Sequence, residues 1–404
     1  MRVAIIGTYP PRQCGIATFT HDLFRAVVGA SHGEHAVIAV SDGSEAAFPK
    51  EVAYVIDWQD QAAYIEAAHY INAHFDACII QHEYGIFGGD DGAYIVDLLT
   101  TLKVPVATNL HTILNEPSAR QRHVTQQLLR RSNRITVMTD RAIRMLQEVY
   151  GVEKARVTKI PHGTPTFTYE QNRAKKALGF QGKRLMLSFG FLGRNKGFET
   201  AIDAMAEIDH PDFVYVILGE THPNVRKVEG ESYRNELKER VRTLGLADRV
   251  VFVDAFVTED LLVQYLTACD IYVSPYPNKD QISSGTLTFA LGAGAVVIST
   301  PYWYAQDLLA EGRGLLFGFR DVGRLASTVN VLLDNPFLLE HFRERAKAYG
   351  QQLAWSSIGA RHLALLTGLC APIQRDRAEP IPLETPSGRR ISTIFPTNGT
   401  RLSS

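Results

Sequence analysis

Apolar residues recur along the chain in short dense runs, separated by stretches whose apolar positions return every three or four residues. The runs RVAIIG (2–7), HAVIAVS (35–41), ACIIQHE (77–83), PVATNLH (105–111) and RITVMT (134–139) occupy the first half. RLMLSFGF (184–191), VYVILGE (214–220), VVFVDAF (250–256), IYVSPY (271–276), AVVIST (295–300) and GLLFGF (314–319) occupy the second. Runs with so little polar alternation are expected of parallel strands covered on both faces. The stretches between them, such as GIATFTHDLFRAVVGA and DRAIRMLQEVYG, read as amphipathic helices. Strand and helix patterns in alternation predict doubly wound α/β layers. The alternation breaks once, in a looser polar segment around 169–182, and then restarts. The sequence therefore predicts two Rossmann-like domains, 1–168 and 180–350, with a hinge near 164–182. The tail 371–404 is rich in Pro, Ser, Thr and Arg, and is expected to be mobile or to dock on the surface.

Composition narrows the class. The chain has 404 residues, 45% hydrophobic and 21% charged, as an ordinary globular protein has. A net charge of -1 argues against a general nucleic-acid binder. No apolar run is long enough to span a bilayer. The opening MRVAIIGTYPP stops being apolar at Gly7, before any cleavage-like site, so a cytoplasmic protein is expected. The four cysteines (Cys14, Cys78, Cys269, Cys370) form no C-x-x-C pair and suggest neither a disulfide framework nor a zinc site.

Two facing α/β domains bind ligands at the carboxyl ends of their strands, and the candidate chemistry lies there. GTYPPRQCGIATFTHDL runs from a strand through a Pro/Gly loop into a helix near Gly15, where backbone N–H groups can meet an anion. It is not G-x-G-x-x-G, so a nicotinamide cofactor is not the preferred reading. SFGFLGRNKGFETAIDA puts Arg194 and Lys196 on a strand-to-helix loop, a fork and a point charge suited to a diphosphate. In KDQISSGTLTFALGAG, Ser283 and Ser284 can cap a helix and Gly285 lets backbone approach a ligand. The bland alternatives are ordinary turns, solvated charges and a capped core helix. His82, His111 and His162 each end a strand-like run, and Glu83 adds a carboxylate. With no H-x-x-x-H, H-E-x-x-H or D-x-D spacing, no metal is expected. The basic segment 118–134 carries Arg120, Arg122, Arg130, Arg131 and Arg134 along a helix. A solvated face is the favoured reading; contact with an anionic membrane surface, at the inner face, is the sharper one.

In their joint order YPPRQCGIATFTHDL, QHEYGIFGG, IPHG, FGFLGRNKGFETAIDA and SSGTLTFALGAGAVVISTP resemble the GT-B fold glycosyltransferases of retaining family 4, in particular mannosyltransferase-like members. The resemblance covers about 1–368. It implies a crossover helix near 352–370 returning to the first domain. It implies a sugar-nucleotide donor, with GDP-mannose the best single guess, a sugar, lipid-linked or small-molecule acceptor, and no metal or other cofactor. The family's Gly-rich loop falls on Cys14, Gly15 and Ile16, and its Lys-Gly pair on Lys196 and Gly197, both toward the donor diphosphate. The helix start at Ser284, Gly285 and Thr286 is implied to bind the donor. The family's acceptor-side histidine falls on His111, which would orient the sugar, with His82, Glu83 and His162 as further cleft candidates. Two places depart from the pattern. The usual Arg five residues before the Lys is Phe191, leaving Arg194 as its stand-in. The usual Glu-x7-Glu pair is Gln281 and Phe289, so Gln281 is expected at the donor sugar. Two other readings remain open: a GT-B nucleotide-sugar epimerase, and a catalytically idle binding module.

Overall fold

The computed structural model describes residues 1–45 and 47–371, and the expectation for the tail 371–404 lies outside them but for Ala371. The first sheet holds β1 (Val3–Gly7), β2 (Ala36–Ser41), β3 (Val52–Asp57), β4 (Ala77–His82), β5 (Val106–Leu110), β6 (Arg134–Val137) and β7 (Val157–Lys159), in the order β3-β2-β1-β4-β5-β6-β7. The second holds β8 (Arg184–Phe189), β9 (Phe213–Leu218), β10 (Val250–Val253), β11 (Ile271–Ser274), β12 (Val296–Ser299) and β13 (Leu315–Leu316), in the order β10-β9-β8-β11-β12-β13. Every strand pair is parallel, so all strands of a sheet end on one edge. Central β1, β4 and β9 are buried throughout, which is why their runs lack polar alternation. The two-domain α/β prediction is met, with two additions. Edge strand β3 alternates half-buried and exposed residues over most of its length and β7 is three residues long, so neither makes a dense apolar run.

The segment 169–182 is a correction. It is not loose: it folds as the helix Gln171–Ala177, capped by Glu170, whose carboxylate accepts from the N–H groups of Asn172 and Arg173 at 3.0 Å each. Lys175 then buries its ammonium 2.6 Å from Asp270 Oδ2. Asp270 Oδ2 also accepts from Leu185 N at 2.7 Å, which anchors the helix to the start of β8. A buried cation with a bonded carboxylate is well satisfied, and the sequence shows only a polar stretch.

The chain crosses between the lobes twice, and the crossings touch. Thr164 N donates to Leu353 O at 2.8 Å and Trp355 N donates to Thr164 O at 3.1 Å. After the second crossing the helix Trp355–Cys370 runs along the first helix, Gly15–Ala30, and its buried face carries Ile358, His362, Leu363 and Leu366. Approach is closest at Gly359, where a Cβ would stand 2.5 Å from the Ala26 backbone. The apolar cluster at this contact joins residues of the first helix, β1, β8 and the second sheet's helices into one core.

Gly359→Ala therefore has no flexible neighbour to displace. It should destabilise the fold by about 1–3 kcal/mol, measured by denaturant unfolding, whereas Gly29→Ala, on the same first helix with open space around it, should be neutral or stabilising.

Candidate functional site

A cavity of about 840 Å³ lies where the carboxyl ends of β8, β9 and β10 meet the start of the first helix. The first lobe contributes Cys14, Gly15, Phe19 and Asp22, and His162 from the crossing; the second contributes Phe191, Arg194, Lys196, Phe256, Gly285, Thr286 and Phe289. Cys14 caps the first helix: its Sγ accepts from Ala17 N at 3.3 Å and lies 3.2 Å from Thr8 Oγ1. Ile16 turns instead into the first lobe's core.

Arg194 and Lys196 share a single 3₁₀ turn, Arg194–Lys196, but diverge. The Arg194 guanidinium makes a two-pronged contact with Glu236 at 2.7 and 2.6 Å and a third with Glu229 at 3.3 Å. The expectation that it joins Lys196 on one anion is not what this geometry gives, because two carboxylates already offset its charge. Lys196 stays in the cavity wall, 3.1 Å from the Tyr276 hydroxyl. Gly197 makes this possible. It sits at φ 69, and a Cβ there would meet Pro275 O at 2.3 Å, so only glycine seats the turn against the end of β11.

The helix Gly285–Gly292 starts at the cavity. Ser284 caps it, accepting from Leu287 N at 3.3 Å. Gly285, Thr286 and Phe289 reach the cavity, while Ser284 is buried behind them. Phe289 lies edge-on to His162 at 5.7 Å and stacks on Phe189. Gln281 does not line the cavity. Its amide braces its own loop by donating to Ser283 O at 2.9 Å, which departs from its expected place at a donor sugar.

Of His82, His111 and His162, His162 alone lines the cavity, where His21 and His222 join it. His111 lies behind it, both rings edge-on to Phe19 at 4.6 and 4.9 Å. His111 Nε2 is 2.9 Å from Gln81 Oε1, an oxygen that can only accept, so Nε2 carries the proton and Nδ1 is the acceptor. His82 stacks on Phe87, and neither of its ring nitrogens has a partner. Glu83 accepts from Thr112 Oγ1 at 2.5 Å and from Tyr84 N at 3.0 Å, away from the cavity. Burial pushes its carboxyl up. His82 and Glu83 are thus neighbours of the cleft wall rather than part of it. Among the described residues no three His, Cys, Asp or Glu side chains converge to hold a metal ion.

Beside Phe191, the cavity residues His222 and Phe256 carried no usable sequence signal. Phe191 stacks on Phe256 at 5.6 Å with His222 edge-on at 5.3 Å, an aromatic wall built from residues just past β8, β9 and β10. Asp22, Glu220 and Glu259 add carboxylates to the lining. Polar contacts cross the cleft as well. Ser283 Oγ donates to His111 O at 3.0 Å; Arg141 N donates to Asp307 at 3.0 Å with its guanidinium over Trp303; Arg25 meets Glu259 at 3.6 Å.

The basic segment forms the helix Ala119–Arg131, opened by a Ser118–Gln121 capping box. Arg120 pairs with Asp90, Arg122 donates to Val149 O, Arg131 to Gln127 and Arg134 to Ala155 O. Most of its charge is used within the first lobe. Among the described residues no helix is long and apolar enough to cross a membrane.

The buried histidines link stability to pH. Burial pushes His82 and His111 down to about 3 and His362 to about 4. In the unfolded chain they titrate near 6.5. Their folded values lie lower, so the unfolded state binds more protons between these limits. Their contribution is complete above about pH 6.5 and is lost as pH falls toward the folded values. Each should cost on the order of 2 kcal/mol at pH 5. Denaturant midpoints should fall from pH 7.5 to 5, and His82→Leu, which strands no partner, should flatten that fall; an unchanged slope would refute it.

Comparison with known proteins places this geometry. Residues 170–351 match the family of glycosyl transferases group 1. Mannosylfructose-phosphate synthase of Agrobacterium fabrum is 27% identical over 269 residues, 58% of this chain and 54% of that protein. The lipopolysaccharide core biosynthesis mannosyltransferase LpsB of Rhizobium meliloti is 27% identical over 189 residues, 44% of this chain and 51% of that one. The chain thus spans about half the length of the curated relatives it matches. Among solved structures, Anabaena Alr3699/HepE in complex with UDP and glucose superposes with a TM-score of 0.74 at 16% identity, covering 91% of this chain and 100% of that one. Sucrose-phosphate synthase from Thermosynechococcus elongatus gives 0.73 at 18% identity, covering 91% and 98%. The chain has the GT-B glycosyltransferase fold, and residues 170–351 match the glycosyl transferases group 1 family.

Proposed function

We propose that this chain moves a hexose from a sugar nucleotide to a hydroxyl acceptor, with retention at the anomeric carbon and without a metal. The observation that carries the reading is the meeting of Lys196, the start of the Gly285–Gly292 helix and the Gly15 loop around one cavity between the lobes. An ammonium and two helix N-termini form a cradle for a diphosphate. As the glycosidic bond to the diphosphate breaks, negative charge grows on the leaving oxygen, and Lys196 and the helix N–H groups stabilise it. The acceptor hydroxyl attacks the anomeric carbon from the same face, and its proton passes to the departing phosphate. His111, neutral and held by Gln81 behind the wall, orients the site and neither attacks nor protonates. Closure of the lobes excludes water that would hydrolyse the donor.

GDP-mannose is the donor proposed. Support comes from the relatives named for mannosyl chemistry; the UDP and glucose in the Anabaena structure keep UDP-glucose as the competitor. The acceptor class proposed is a sugar, lipid-linked sugar or small polyol. Phe289 offers no oxygen to ribose, so ribose recognition falls to the lining carboxylates Glu220 or Glu259. A second reading, a binding module without turnover, is favoured by Phe191, Phe289 and the charge-offset Arg194.

A screen of GDP, UDP, ADP and their sugars by calorimetry should single out GDP, and product analysis with acceptors should show transfer. Donor binding without turnover under any acceptor would favour the second reading. Lys196→Ala should weaken nucleoside diphosphate binding by roughly ten- to a hundredfold and leave nucleoside binding within about twofold; equal loss of both would remove the phosphate assignment. Chelator should leave activity intact, and a strict divalent-metal requirement would overturn the metal-free mechanism.

A further inference from the structure

Lys196 is held by a partner that the cavity itself does not expose. Its ammonium is 3.1 Å from the Tyr276 hydroxyl and 4.3 Å from the centre of the Tyr276 ring. The ring has little room to move. It stacks on Tyr302 at 5.0 Å and 18°, and the Tyr302 hydroxyl meets Ser274 Oγ at 3.1 Å. The Tyr276 carbonyl accepts from Thr300 Oγ1 at 2.7 Å. On its far side the phenol oxygen lies 3.4 Å from Thr286 Oγ1, in the first turn of the Gly285–Gly292 helix. Lys196 and Thr286 line the cavity; Tyr276, 5% exposed, stands behind them.

We propose that Tyr276 is a positioning residue for the phosphate site: its hydroxyl pins the Lys196 ammonium beside the start of the Gly285–Gly292 helix, and it must stay protonated for Lys196 to serve an anion. The inference rests on the sugar-nucleotide reading above and deepens it. A lysine has a long flexible stem, and a fixed acceptor at its tip removes much of that freedom before the ligand arrives. An ammonium has three N–H donors, so one bond to the phenol leaves two for phosphate oxygens.

The same contact sets a limit at high pH. Burial opposes ionisation of the Tyr276 phenol. The Lys196 ammonium, with hydrogen bonds from Thr286, Lys196 and Ser284, outweighs burial and holds the phenol below its ordinary value. The groups facing it are Lys196 from the turn after β8, Tyr272 on β11, Tyr302 beyond β12, and Ser284 and Thr286 at the helix start. Once ionised, the tyrosinate pairs with Lys196 and places a negative charge beside the phosphate site. A diphosphate reverses this: it draws on Lys196, adds negative charge, and returns the phenol to its protonated form by uptake of one proton from solvent. Diphosphate affinity is therefore complete below the phenol's titration and declines above it.

Tyr276→Phe keeps the ring, its stack and its contact with the cation, and removes only the oxygen. Binding of GDP, UDP, guanosine and uridine is to be measured by calorimetry from pH 7 to 9.5 on wild type and variant, with melting curves to verify the fold. At pH 7 the variant should bind the diphosphate roughly tenfold more weakly and the nucleoside within about twofold. Wild-type diphosphate affinity should fall with rising pH, and the variant's should be flatter. Without any ligand, absorbance at a tyrosinate wavelength should reveal an early-titrating phenol that is missing in Tyr276→Phe and moved upward in Lys196→Met. Equal affinities with equal pH slopes, or equal loss for nucleoside and diphosphate, would overturn the positioning role. A wild type that binds neither of these diphosphates, nor ADP, overturns the sugar-nucleotide reading and the ligand role built on it; the Tyr276–Lys196 pairing is then decided by the absorbance titration alone, and absence of the early phenol overturns it.

Discussion

The structure depends on a close approach between two helices that are more than three hundred residues apart in sequence. Because Gly359 has no side chain, the helix Trp355–Cys370 can lie against Ala26 of the first helix. That contact returns the end of the chain to the first lobe and ties two sheets into one apolar core. The paired crossings at Thr164 and Ala354 follow, since the chain must leave the first lobe and come back to it. With both crossings on one side, the strand ends of the two sheets face each other across a cavity. Each lobe can then contribute a helix start to one ligand.

In and around that cavity, most positive charge is balanced or suppressed. Arg194 is balanced by Glu236 and Glu229, and the buried histidines are held neutral by the cost of bringing a cation out of water. Beside the carboxylate-paired Arg194, Lys196 lines the cavity held by a phenol instead, together with backbone N–H groups whose partial charge needs no counter-ion. The aromatic pair Phe191 and Phe256 forms the wall beside it. Under the proposed function such a site would separate its tasks: the backbone and Lys196 would answer to an anion, and the flat apolar wall to a ring or a sugar face.

The sequence disclosed what depends on pattern and withheld what depends on direction. Buried parallel strands such as β1 and β9 are dense apolar runs and were readable; β3 and β7 sit at edges, where one exposed face or three residues leave no such run. The loops at Gly15, Lys196–Gly197 and Gly285 were readable because a helix start beside a ligand needs glycine and a cap. The direction of a side chain was not. Arg194 turns to carboxylates on two separate helices, at Glu229 and Glu236, Gln281 folds onto its own loop, and Ile16 turns into the core. Tyr276 looked like the end of a strand, and its relation to Lys196 exists only once Gly197 has seated one turn upon another.

The hydrogen bond from Ser283 to the carbonyl of His111 spans the cleft next to the capped helix. A neutral bond of this kind is worth about 1 kcal/mol, a factor of roughly five in population. At that point the lobes are joined by something closer to a latch than a weld. Because the latch belongs to the loop that precedes the Gly285–Gly292 helix, any parting of the lobes there carries that helix start with it. Under the proposed function, opening and the surrender of an anion would thus become one mechanical event.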